Sequence, residues 1–94
     1  MFPLFKFKVE GNSMAPALRA KDTILVNRLS YFLGEPKIGD VVVIKRGKYI
    51  IKRIVKVGKK KVFVIGDNKK ESTDSRSFGW INKKEIIGKV VLKI

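Results

Sequence analysis

Tyr49-Ile50-Ile51-Lys52-Arg53-Ile54-Val55-Lys56-Val57 is the stretch on which the reading of this chain turns. β-Branched residues dominate it, and Arg46-Gly47-Lys48 and Gly58 bound it, so it predicts a strand. Alternation puts Ile50, Lys52, Ile54 and Lys56 on one face, and Tyr49, Ile51, Arg53, Val55 and Val57 on the other. Both faces are mainly apolar, as in a strand covered on both sides. Yet Lys52 and Arg53 stand side by side in its middle, where a charge is costly unless paired or, for lysine, discharged. Two readings of Lys52 stay open here. It is either an amine reaching out at a sheet edge, as most strand lysines do, or a desolvated neutral amine able to take a proton.

Working outward, residues 4–10 alternate apolar and charged and predict a half-buried strand ended by Gly11-Asn12. Ser13 to Leu18 reads as a turn or one helical turn around Pro16. Residues 23–28, 40–44, 62–65 and 86–92 predict further strands, with Gly88 as a bulge in the last. Residues 30–39 read as a loop with exposed aromatics. Residues 66–80 form a polar stretch too long for a plain hairpin. Short strands so closely spaced predict an all-β fold, a folded sheet or barrel with little helix, in one domain over residues 1–94.

Composition narrows the chemistry. The 94 residues include no cysteine and no histidine, which removes thiolate nucleophiles, Ser-His-Asp arrangements and His- or Cys-ligated metals. A hydrolase built from this chain needs a lysine or carboxylate base. The net charge of +14, from 22 basic against 8 acidic residues, favours anionic partners but says little about mechanism. No apolar run nears the roughly 18–20 residues of a membrane span, and the first residues do not read as a secretory leader. A peripheral membrane surface or the cytoplasm is the expected location.

Three stretches carry a resemblance. Gly11-Asn12-Ser13-Met14-Ala15-Pro16-Ala17-Leu18 looks like the nucleophile box of type I signal peptidases, and Tyr49 to Val55 resembles their lysine box. Gly66-Asp67-Asn68, with Ser72-Thr73-Asp74-Ser75-Arg76 and Gly79, resembles their C-terminal box. Ile38 to Val43 matches the strand usually found between. The ordered set over residues 11–79 is far more specific than any one box.

The resemblance implies the signal-peptidase/LexA-like fold and a serine endopeptidase that uses a Ser/Lys dyad to cleave leader or signal peptides after small residues. It implies Ser13 as nucleophile and Lys52 as general base, with Ile50 and Ile54 supplying apolar surroundings. Ser72 would hydrogen-bond the lysine amine and aim it. Asp74 and Arg76 would support the site. Arg53 cannot lose its proton and needs an anion, for which Asp74 is the expected partner. Asn12, Met14, Ile50 and Ile51 would contact an extended peptide segment of a precursor protein. Neither cofactor nor metal is implied, and Asp67-Asn68 offers too few acidic ligands for a metal loop.

Two departures from the family pattern stand out. Some members carry a hydroxyl residue two before the nucleophile as an oxyanion donor, and here that position is Gly11. Typical members also carry an N-terminal anchor and a larger insertion, neither of which is seen here. The brevity and the Ser72 to Gly79 stretch resemble a small unanchored branch, that of the nickel-type superoxide dismutase maturation peptidases. LexA-like self-cleaving repressors share fold and dyad, but no stretch here reads as a DNA-binding domain.

Peripheral contact with an anionic membrane is expected through Met1 to Phe5 and Tyr31-Phe32-Leu33. The competing class is a basic β-barrel module gripping single-stranded nucleic acid, compatible with the charge and with 6 Phe, 2 Tyr and 1 Trp. Charge alone does not explain Ser13, Lys52 and Ser72 in their boxes, so no specific nucleic acid is expected. Salt-dependent oligonucleotide binding without peptidase activity would reverse that choice.

Overall fold

The computed structural model describes residues 4–31 and 34–94. Seven strands form one antiparallel sheet: β1 (Leu4–Lys8), β2 (Thr23–Asn27), β3 (Val41–Arg46), β4 (Lys48–Val57), β5 (Lys61–Ile65), β6 (Ile81–Asn82) and β7 (Ile86–Lys93). Their spatial order is β1-β2-β7-β3-β4-β5-β6, so the last strand of the chain lies inside the sheet between β2 and β3. The expected all-β fold is observed. Among the described residues, 3-10 turns at Lys69–Glu71 and Lys83–Glu85 and one short helix α1 (Ser75–Phe78) accompany it.

The central ladder is β3 against β4, with Val42 opposite Lys52 and Arg46 opposite Lys48, closed through Gly47 at a φ of +75°. That left-handed backbone is accessible to glycine at little cost. Because β3 and β4 are covered on both faces, two apolar clusters form. Val9, Met14, Leu18, Ile24, Val26, Val43 and Ile51 fill one side. Val42, Ile44, Ile54, Val62, Val64 and Ile81 fill the other. Adjacent Val42 and Val43 serve opposite clusters, as pleating requires.

Register shifts interrupt the ladders of β2 with β7, β3 with β7 and β4 with β5. Such bulges bend strands and increase twist. The sheet accordingly curls into a half-barrel, bringing the Phe7 ring of β1 edge-on to Tyr49 of β4, with centroids 5.7 Å apart.

Gly88 differs in detail from expectation. It pairs with Val43 while Ile86 pairs with Ile44, so the extra residue is Ile87. Gly88 instead permits close approach of β2: a Cβ there would lie 2.7 Å from the Asn27 carbonyl oxygen and 2.8 Å from Val26. Tyr31, expected among exposed loop aromatics, is half-buried, and its hydroxyl donates to Asp40 at 2.7 Å. Asp40 itself precedes β3 rather than opening it. Met1 to Pro3 and Phe32-Leu33, proposed from the sequence as membrane-contact segments, lie outside the described residues. No helix among the described residues is long and apolar enough to cross a membrane.

Candidate active site

Ser13 follows the end of β1 through Gly11, whose φ of +71° turns the chain sharply. Backbone bonds from Ala15 N–H to the Asn12 carbonyl and from Leu18 N–H to the Met14 carbonyl coil the next residues into tight turns. Met14 anchors them: it is fully buried, and its sulfur accepts from the Asp67 N–H at 3.4 Å. Ser13 is therefore presented by a segment fixed on both sides.

Lys52 lies mid-β4 and is only 4% exposed. Its Nζ donates to Ser13 Oγ at 2.8 Å, joining groups 39 residues apart in the chain. Burial beside Val42 and Ile54 pushes the amine below the ordinary lysine range. The charge of Asp74 opposes this, while Lys48 and Arg76 add to it. The snorkelling alternative does not describe this side chain.

The residues of the C-terminal box meet the Ser13–Lys52 pair from the side. Gly66 is the hinge of this contact: a Cβ there would overlap Ser72 Oγ and fall 2.5 Å from the Ser13 carbonyl oxygen. Only glycine admits both neighbours. Asn68 N–H donates to that same Ser13 carbonyl at 2.8 Å.

Asp74 is fully buried and accepts from the Gly66 N–H at 2.9 Å, from Ser72 Oγ at 2.7 Å and from Arg76 Nε at 2.9 Å. It also caps α1 by accepting from the Arg76 N–H. Burial by itself pushes its carboxyl up. The bonds from Arg76, Gly66 and Ser72 more than reverse this, leaving the group well below the usual carboxylate range.

Two expectations are corrected here. Arg53 does not pair with Asp74; its guanidinium grips Asp67 through two bonds of 2.9 Å and donates to the Gly39 carbonyl at 2.8 Å. Asp74 is already saturated by nearer donors. Ser72, expected to aim the lysine amine, donates to Asp74, and no hydrogen bond joins it to Lys52 among the described residues.

A cleft of about 700 Å³ opens beside Ser13 and Lys52. Asn12, Met14, Ile50 and Ile51, the residues expected to contact substrate, line it together with Gly11. The sequence reading assigned no task to Phe7, Val9 and Glu10 on one side of the cleft, or to Glu71, Thr73 and Phe78 on the other. The alternation of residues 4–10, running straight into Gly11, was the available signal for the first group. Beside β4, β5 pairs only from Arg53 onward, so the edge at Lys48–Lys52 is unpaired by any strand among the described residues. Nor do three His, Cys, Asp or Glu side chains gather into a metal-binding group among them.

Comparison with known proteins bears on this geometry. The family described as "Signal peptidase, peptidase S26" matches the chain in two pieces, residues 1–58 and 55–94. The chain belongs to the signal peptidase S26 family. It is 26% identical to a signal peptidase I of Bacillus caldolyticus over 143 aligned residues, covering 96% of this chain and 79% of that protein. It is 33% identical to subunit 1a of the mitochondrial ATP-independent inner membrane protease of Arabidopsis thaliana, covering 92% and 67%. A signal peptidase I P of Bacillus subtilis subsp. natto is 27% identical over 85% of this chain. The Bacillus caldolyticus alignment is longer than this chain, so that S26 relative carries extra internal residues. The two matched pieces meet at the β4–β5 hairpin.

Proposed function

We propose that this S26 chain is a serine endopeptidase that removes leader or signal peptides by a Ser13/Lys52 dyad, acting as a single catalytic domain. The observation that carries the reading is the 2.8 Å separation of Lys52 Nζ from Ser13 Oγ, with the amine buried and its pKa lowered. A neutral amine at that separation can accept the hydroxyl proton as Ser13 Oγ attacks the scissile carbonyl. The proton then passes to the leaving amine, giving an acyl-Ser13 ester. Lys52 next takes a proton from the water that hydrolyses the ester. Oxyanion stabilisation falls to backbone donors, since Gly11 has no hydroxyl. The Ser13 N–H bonds to no backbone carbonyl among the described residues and is available for it.

The unpaired Lys48–Lys52 edge suits an extended substrate that adds as a strand. The acyl half belongs there, because it must stay bound while the leaving half departs. Side chains one and three residues before the cut then meet the wall of Val9, Met14 and Ile51, which favours small residues. The resemblance of Ser72 to Gly79 to the nickel-type superoxide dismutase maturation peptidases makes the leader of such a precursor the first substrate to assay. Contact with an anionic bilayer belongs to the same proposal, and co-sedimentation with anionic but not neutral vesicles tests it.

For the dyad, Ser13→Ala and Lys52→Ala should each abolish cleavage in a folded protein. Lys52→Arg should fail equally, because arginine stays protonated. Substantial activity in Lys52→Arg would exclude the mechanism.

A further inference from the structure

We propose that the wall of the cleft bearing Lys48 is a subsite for an acidic substrate side chain, four residues before the scissile bond. The inference rests on the peptidase reading above and adds to it a charge preference.

A strand lying along the free edge of β4 sends alternate side chains to opposite walls. The two walls differ in chemistry. On the Tyr49 and Ile51 face the cleft is apolar, faced by Phe7 and Val9. On the Lys48 and Ile50 face it is lined by Arg46, Thr73 and Phe78. If residues one and three before the cut meet the apolar wall, residues two and four meet the polar one.

Distance selects the position. Lys48 stands four residues before Lys52 on the same face of the same strand, about 13 Å away at 3.3 Å per residue. A substrate residue in register with Lys48 is therefore the fourth from the cut.

The cations at this end are not equivalent. Arg46 is engaged by Glu85 at 3.1 Å and lies over the Phe78 ring at 4.5 Å. Lys48 is exposed and has no carboxylate partner among the described residues. The acidic groups of the cleft lie at its other end: Glu10 adjoins Gly11, and Glu71 accepts from Asn68, whose N–H holds the Ser13 carbonyl. The cleft is thus polarised along its length, and its far end offers a charge awaiting an anion.

The test is a set of peptides with small residues at the first and third positions before the cut, differing only in Glu, Gln or Lys at the fourth. At low salt, wild-type kcat/KM should rank Glu over Gln over Lys, with roughly 3- to 10-fold between the extremes, the scale of a solvent-facing ion pair. Lys48→Glu should invert the order, and added salt should flatten both series. A loss of packing alone would not invert it. Equal cleavage of all three by wild type, or an order unchanged in Lys48→Glu, overturns the subsite and leaves the peptidase reading intact. Cleavage of none by wild type overturns the peptidase reading, and the subsite falls with it.

Discussion

Asn68 N–H donates to the carbonyl oxygen of Ser13 at 2.8 Å, stitching the stretch after β5 to the turn that carries the candidate nucleophile. The bond exists because Gly66 lets the two segments touch. Gly66→Ala would force a methyl group into Ser72 and the Ser13 backbone. We expect a loss of about 1–3 kcal/mol of stability, the usual range for overpacking. Activity should fall further than stability, by about 100-fold or more, because a ~1 Å displacement of a reacting group suffices for that. Denaturant unfolding and peptide kinetics on the same variant measure the two effects separately.

The lowered pKa of Lys52 fixes the sign of the pH response. Only the neutral amine is a base, so kcat/KM should rise with pH through the Lys52 pKa, below the ordinary lysine range. Lys48 contributes to the lowering, so Lys48→Met should move this acid limb to higher pH. A pH–rate profile with an uncharged peptide reads the shift. A limb that stays put or moves down would contradict the electrostatic assignment.

Lys52 also weighs on stability. Its folded pKa lies below its unfolded one, so the unfolded chain binds the extra proton between the two values. Stability should therefore rise with pH across that window and be lowest beneath it. Lys52→Met removes the group that resists burial while keeping its shape. We expect a higher Tm than wild type at neutral pH, the gap closing toward pH 10, together with complete loss of cleavage.

Asp74 gives the same slope in an acid window, but as a group whose charged form stabilises the fold. Its folded pKa is depressed, so its stabilisation is present above the unfolded value near 3.9 and is lost as pH falls toward the folded value. Asp74→Ala should strip the partners from Gly66 N–H, Ser72 and Arg76 at a cost of about 2–4 kcal/mol. Urea unfolding at pH 7 and again near pH 3 should show the difference between variant and wild type shrinking in acid.

Much of this molecule could be read from its residues. The β-branched runs of β2, β3, β4 and β5 announce strands directly, because such side chains suit a pleated surface, and residues 4–10 announce β1 by alternating with a period of two. Two-residue β6 has no room for a period, although its Ile81 is fully buried. The partner of Arg53 was misread for a tertiary reason. Arg53 pairs with Ile65 across β4 and β5, which brings Asp67 alongside it, whereas Asp74 is drawn inward to Gly66 and cap α1. Charge counts name candidates, and register chooses among them. Gly66 shows the same limit: the letters mark a motif, but the need for an absent side chain emerges only when two distant loops press together.

The bare edge at Lys48–Lys52 has one more consequence, for colloidal behaviour. An open strand edge that welcomes a peptide will also welcome the same edge of another molecule, which is how sheet proteins aggregate. Here each copy arrives carrying +14, with Lys45, Arg46 and Lys48 gathered at the hairpin where the edge begins. Mutual repulsion keeps like edges apart, while a peptide of lower or opposite charge meets no such barrier. This positive charge should hold copies dispersed, and that protection should fade as salt shortens the reach of the charges.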